Sequence, residues 1–128
     1  MYEYIAGPPI TLPATTNLAQ HRFVTMNSTG KLGYPANGAT VVGVLFGDSS
    51  TGSTQDRHLP VQIGGVADVE AAGSTLAAGA LVAASSVGRV IAWTTGKIGV
   101  GQILYGSSGS TGRVVGVLLN TFGHSTAI

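Results

Sequence analysis

From His21 onward, short runs of Val, Ile, Leu and Thr alternate with Gly, Ser and Asn punctuation, the spacing of strands and tight turns. The runs predict nine strands, over residues 22–26, 31–34, 41–46, 59–63, 66–70, 80–84, 89–93, 99–105 and 114–120. Asn27-Ser28-Thr29-Gly30 and Ser85-Ser86-Val87-Gly88 predict hairpins in which glycine supplies positive φ before the return strand. Residues 48–56 and 106–112 read as longer Ser/Thr/Gly loops. Helix is credible only over 73–81, where alanines favour it and two glycines oppose it.

Residues 1–20 break this pattern and read as an extended N-terminal arm. Pro8, Pro9 and Pro13 fix φ and remove amide donors, which excludes a long helix or a central strand. Tyr2, Tyr4, Ile5, Ile10 and Leu12 give the arm apolar contact points without a period of its own. Residues 21–128 then form a single β domain.

An internal repeat runs through that domain at an offset of 58 residues. Val24 lies on Val82, Ser28 on Ser86, Gly30 on Gly88 and Lys31 on Arg89. Gly38 lies on Gly96, Val42 on Val100 and Gly43 on Gly101, and Leu45-Phe46-Gly47 meets Leu104-Tyr105-Gly106 after a one-residue slip. Two units, about 22–63 and 80–120, each read strand, glycine hairpin, strand, turn, apolar strand, loop, strand. The expected fold is a compact β-sandwich or small β-barrel built from two β repeats, each half covering the other's apolar face.

Composition sharpens this reading. The chain has 128 residues, enough for one domain with a real core. Only 9% of residues are charged, 44% are hydrophobic, and 20 Gly, 11 Ser and 14 Thr make up much of the rest. A formal net charge of +1 provides nothing to neutralise a phosphate backbone or to seek an acidic membrane surface, so neither nucleic acid nor membrane is an expected partner. Disorder is excluded by the hydrophobic content. The charge-free stretch 71–88 is Ala, Gly, Ser and Thr rather than Leu, Ile and Phe, too weak for a membrane span. Glu3 stands where a secretory signal places Lys or Arg, and no apolar segment follows, so a soluble chain is expected. The absence of cysteine excludes disulfides, thiolate zinc sites and a cysteine nucleophile.

No catalytic constellation emerges. The histidines are His21, His58 and His124, and the acids Glu3, Asp48, Asp56, Asp68 and Glu70. Asp56-Arg57-His58 sets an acid near a histidine, but no nucleophile elbow surrounds any serine. Asp68 and Glu70 share a strand face and read as an exposed edge or salt bridge. Ser28-Thr29-Gly30-Lys31 and Thr95-Gly96-Lys97 lack the first glycine and the final hydroxyl of a phosphate loop. Asn27-Ser28-Thr29 matches a glycosylation acceptor but reads most simply as a turn. Trp93 is a strand-end aromatic, with an interface anchor or sugar platform as the other reading. Neither enzyme activity, nor a cofactor, nor a metal is expected.

Several segments carry a resemblance by their order and spacing across nearly the whole chain. These are Pro8-Pro9-Ile10-Thr11-Leu12-Pro13, Asn27-Ser28-Thr29-Gly30-Lys31, Ala39-Thr40-Val41-Val42-Gly43-Val44-Leu45 and Gly64-Gly65-Val66-Ala67-Asp68-Val69-Glu70. Gly73-Ser74-Thr75-Leu76-Ala77-Ala78-Gly79-Ala80-Leu81-Val82, Gly88-Arg89-Val90 and Gly112-Arg113-Val114-Val115-Gly116-Val117-Leu118-Leu119 complete the set. Taken together, the sequence resembles the capsid cement (head decoration) proteins of tailed bacteriophages. His58-Leu59-Pro60 departs from the pattern, since Pro60 removes a ladder bond and argues for an edge strand or a contact with the arm. The resemblance implies a non-enzymatic virion protein, made in the host cytoplasm, that binds the exterior of the mature capsid as a homotrimer at or near threefold positions. Its partners would be the major capsid protein and itself. The arm residues Tyr2, Tyr4, Ile5, Pro8, Pro9, Ile10, Leu12 and Pro13 would contact the capsid or a neighbouring protomer. A carbohydrate- or surface-binding β module of adhesin type is the alternative.

Overall fold

The computed structural model of the chain describes residues 10–14, 18–46, 57–73, 76–105 and 111–124. They form ten strands and, among the described residues, no helix: β1 (Ile10–Ala14), β2 (Phe23–Met26), β3 (Leu32–Gly33), β4 (Gly43–Leu45), β5 (Arg57–Gln62), β6 (Val66–Ala72), β7 (Leu81–Ala84), β8 (Val90–Ala92), β9 (Gly99–Tyr105) and β10 (Thr111–His124). Each of the nine expected segments contains a strand. The tenth, β1, arises within the proline-rich arm. Over 73–81 the described residues hold a turn instead of a helix, with the Ala80 N–H donating to the Ala77 carbonyl. Most of the two longer loops lies outside the described residues.

The ladder registers repeat as the sequence repeats. β2 pairs β4 through Phe23↔Val44 and Val24↔Gly43, and β7 pairs β9 through Leu81↔Gln102 and Val82↔Gly101. β2 pairs β3 through Thr25↔Gly33 and Met26↔Leu32, and β7 pairs β8 through Ala83↔Ile91 and Ala84↔Val90. Beyond the second loop, Val44↔Gln62 and Leu45↔Val61 answer to Gln102↔Leu118 and Ile103↔Val117. The one-residue slip in the sequence match falls later than expected. Leu45 and Ile103 still correspond, and the register shift in β10 sets Gly116 against Tyr105, so Leu104 is the bulged residue.

β1 has a counterpart as well. Leu12↔Leu59 and Thr11↔Pro60 in the β1–β5 pair match Val69↔Val115 and Asp68↔Gly116 in the β6–β10 pair. Each unit is thus five strands, in the order β1-β5-β4-β2-β3 and then β6-β10-β9-β7-β8. The second unit closes into a barrel through a parallel pair, Ala71↔Val90, between β6 and β8. The first remains an open sheet with β1 and β3 at its edges. An edge tolerates Pro13, and Pro60 faces Thr11 of β1, the arm contact that its missing N–H suggested.

Two cores follow from two units. Ala14, Leu18, Val24, Leu32, Leu45, Leu59 and Val61 pack inside the first. Ala71, Leu76, Val82, Val90, Ile103, Val115 and Val117 take the corresponding places in the second. Phe23, Val41 and Val44 of the first unit join the second core, so the first sheet turns its other face onto the barrel. Strand alternation produces this: Val24 and Leu45 face inward, while Phe23 and Val44, one residue away, face the second unit.

Two glycines mark equivalent close approaches. A Cβ on Gly101 would meet the Leu118 carbonyl oxygen at 2.6 Å and Val117 Cγ1 at 2.6 Å, and one on Gly43 would meet Val61 Cγ1 at 2.8 Å and the Gln62 carbonyl. Both positions match in the sequence repeat because the same strand crossing forbids a side chain in both units.

Candidate interaction surface

Three charged side chains come together where the two units meet. Glu70 on β6 accepts from Arg22 Nε at 3.0 Å and from Arg89 Nε at 3.3 Å, one carboxylate bridging two guanidinium groups. Arg22 also donates to the Val87 carbonyl at 3.2 Å and lies 5.9 Å from the Tyr34 ring centroid. The backbone reinforces the joint: Phe23 N–H donates to the Gly88 carbonyl, Glu70 N–H to His21, Gly38 N–H to Ala84 and Ile98 N–H to Gly38. Asp68 and Glu70, which the sequence placed on one strand face as an exposed edge or salt bridge, take two different tasks. Asp68 accepts the Tyr105 hydroxyl at 2.6 Å, while Glu70 holds the joint.

His21 was unremarked as a structural residue in the sequence, yet it anchors this joint. It has φ of 62° where the equivalent Gly79 has 89°, so an imidazole-bearing residue occupies a glycine conformation. Its N–H donates to the Leu45 carbonyl, its carbonyl accepts from Glu70, and Nδ1 lies 3.2 Å from the Asp68 carbonyl. Beside it a cleft lined by His21, Val44, Leu45, Phe46, Gln62 and Asp68 has room of about 20 Å³, enough for one water.

The hairpin turns are built alike. Asn27 Oδ1 accepts from Thr29 N–H at 3.0 Å and Lys31 N–H at 3.0 Å, as Ser85 Oγ accepts from Val87 N–H at 3.3 Å and Arg89 N–H at 3.0 Å. The acceptor-like Asn27-Ser28-Thr29 is therefore a turn with its amide oxygen engaged. Trp93 is half-buried just beyond β8, and its Nε1–H donates to the Lys97 carbonyl at 2.8 Å. Among the described residues no three His, Cys, Asp or Glu side chains form a cation-sized group.

Of the arm contacts expected from the sequence, Tyr2, Tyr4, Ile5, Pro8 and Pro9 lie outside the described residues. Ile10, Leu12 and Pro13 belong to β1, opposite Val61, Leu59 and His58. Ile10 is exposed, while Leu12 is packed against the first core. A second apolar surface was not anticipated: Leu81 and Leu118, outward-facing on the barrel, are exposed.

This two-unit architecture has a counterpart among solved structures. The fold is similar to that of a phage head-fiber base. Over 88% of this chain and 95% of the other, the backbone is similar to the crystal structure of the head fiber gp8.5 N base of bacteriophage phi29, with a TM-score of 0.68. Sequence identity is 13%, so the likeness is one of fold. No protein-family model matches the chain, and no curated protein matches it in sequence.

Proposed function

We propose that this chain is a structural, non-enzymatic virion protein that binds the exterior of the mature phage capsid and stabilises it, as a trimer at or near threefold positions. The observation that carries this reading is the fold shared with a phage head-fiber base across most of both chains. The protein is made in the host cytoplasm, and its partners are the major capsid protein and itself.

The physics suits the role. A ligand that binds only the mature lattice stabilises that lattice by linkage. A trimer engaging several capsid subunits gains from effective concentration, so each contact can be weak. With 9% charged residues, the contacts rely little on ion pairs and tolerate salt. The arm supplies apolar groups, Tyr2, Tyr4 and Ile5, with prolines that limit the entropy lost on ordering.

The test is co-sedimentation with mature capsids of the encoding phage that lack this protein. Saturable binding and a higher capsid disassembly temperature are expected. Deleting residues 1–9, which leaves β1 intact, should abolish binding while the melting curve of the free protein is unchanged. Full-length protein that fails to bind such capsids would refute the role, and unchanged binding by the deletion would refute the arm assignment.

A further inference from the structure

The internal joint uses two surfaces, and each has an unused copy. On the first unit, the outward row Phe23–Val44–Gln62 runs across β2, β4 and β5, and its members are 0%, 2% and 2% exposed because the second unit covers them. On the second unit, the row at the same register is Leu81–Gln102–Leu118 across β7, β9 and β10. There Leu81 is 39% and Leu118 43% exposed. A row that is buried in one repeat therefore has its leucines solvent-facing in the other.

The covering surface is duplicated too. What lies on the first row is β6 together with the turn at 85–88, which brings the Gly88 carbonyl to the Phe23 N–H at 2.7 Å. A Cβ on Gly88 would meet the Phe23 carbonyl oxygen at 2.5 Å. The corresponding turn of the first unit, Asn27-Ser28-Thr29-Gly30, is exposed throughout, and a Cβ on Gly30 would meet nothing within 4 Å.

We propose that the Leu81–Gln102–Leu118 row receives the first unit of a second copy of this chain, whose turn at 27–30 repeats between chains the joint made within each. The contact lacks the ionic clip of the internal joint. Arg22, Glu70 and Arg89 correspond to Ala80, Pro13 and Lys31, so the intermolecular joint lacks these ion pairs, is weaker than the internal one and is insensitive to salt. Row and turn are different surfaces, which makes the contact heterologous. Such a contact closes into a ring or grows as a filament. A ring of three would account for the trimer proposed above; the inference rests on that self-association and not on capsid binding.

The experiment is sedimentation velocity on the full chain, without capsids, up to millimolar concentration at low and high salt. Wild type should associate at both salts. A row variant, Leu81→Glu with Leu118→Glu, and a turn variant, Ser28→Glu, should each weaken association at least about tenfold, or about 1.4 kcal/mol. Mixed together, they should form a one-to-one dimer that grows no further, because each retains one intact surface. Gln102→Arg serves as a second row variant should the double substitution disturb folding, and circular dichroism checks all of them. A monomeric wild type, row and turn variants that associate like wild type, or a mixture that remains monomeric would each overturn the proposal. Since capsids are absent, such a failure is separable from failure of capsid binding, which co-sedimentation reads independently.

Discussion

Phe23→Ala tests the joint between the units most directly. Phe23 belongs by chain position to the first unit but is fully buried in the core of the second. A buried aromatic withdraws about 150–250 Å² from water, or about 4–6 kcal/mol at roughly 25 cal/mol per Å². Alanine retains part of that burial, and an extended reference chain overstates the area, so the expected loss is about 3–4 kcal/mol. Against a typical total of about 5–15 kcal/mol this is a large share, and it should lower the melting temperature by roughly 10–15 °C. Leu81→Ala at the equivalent position removes a side chain already 39% exposed and should cost under about 1 kcal/mol in the free protein. The assay is urea denaturation followed by circular dichroism and by the fluorescence of the single tryptophan, Trp93, which reports on the second unit. Wild type should show coincident transitions, and Phe23→Ala should separate them as the units uncouple. Equal costs for the two substitutions, or a Phe23→Ala cost below about 1 kcal/mol, would refute the asymmetric stacking of the units.

Three further substitutions probe other parts of the fold. Glu70→Gln removes the carboxylate shared by Arg22 and Arg89; because these side chains are partly exposed, the expected loss is only about 1 kcal/mol at low salt. Most of that loss should disappear at molar salt in parallel denaturation curves, and an undiminished loss would show that packing rather than charge is responsible. Gly101→Ala should destabilise by about 2 kcal/mol or more, since its Cβ would strike the Leu118 carbonyl and Val117. Gly33→Ala, with nothing within 4 Å of its Cβ and no positive φ, should be neutral or slightly stabilising. A Gly101→Ala melting temperature equal to wild type would contradict the strand crossing.

The chain's local signals carried a large part of the architecture. Strand segments follow from period-two runs of β-branched residues, which express themselves wherever a sheet face is buried. Gly30 and Gly88 were legible because the turn's demand for positive φ, 79° at both, is local and only glycine meets it without strain. The repeat was legible because both copies keep those glycines and the crowded Gly43 and Gly101. β1 was hidden. Its proline, Pro13, argues against a central strand, and its acceptability depends on an edge position beside β5, distant in sequence. Likewise the Glu70 clip joins residues 48 and 19 positions apart, a relation that no local pattern records.

The sequence by itself determined that the chain is all-β, duplicated, poor in charge and without a phosphate-loop motif. Only the tertiary structure decided that one repeat closes as a barrel while the other stays open, and that equivalent rows meet different fates. Phe23 is core and Leu81 is surface because two repeats stacked front to back leave one front uncovered. That asymmetry belongs to the stacking and not to either repeat, so it becomes visible only once both are folded together.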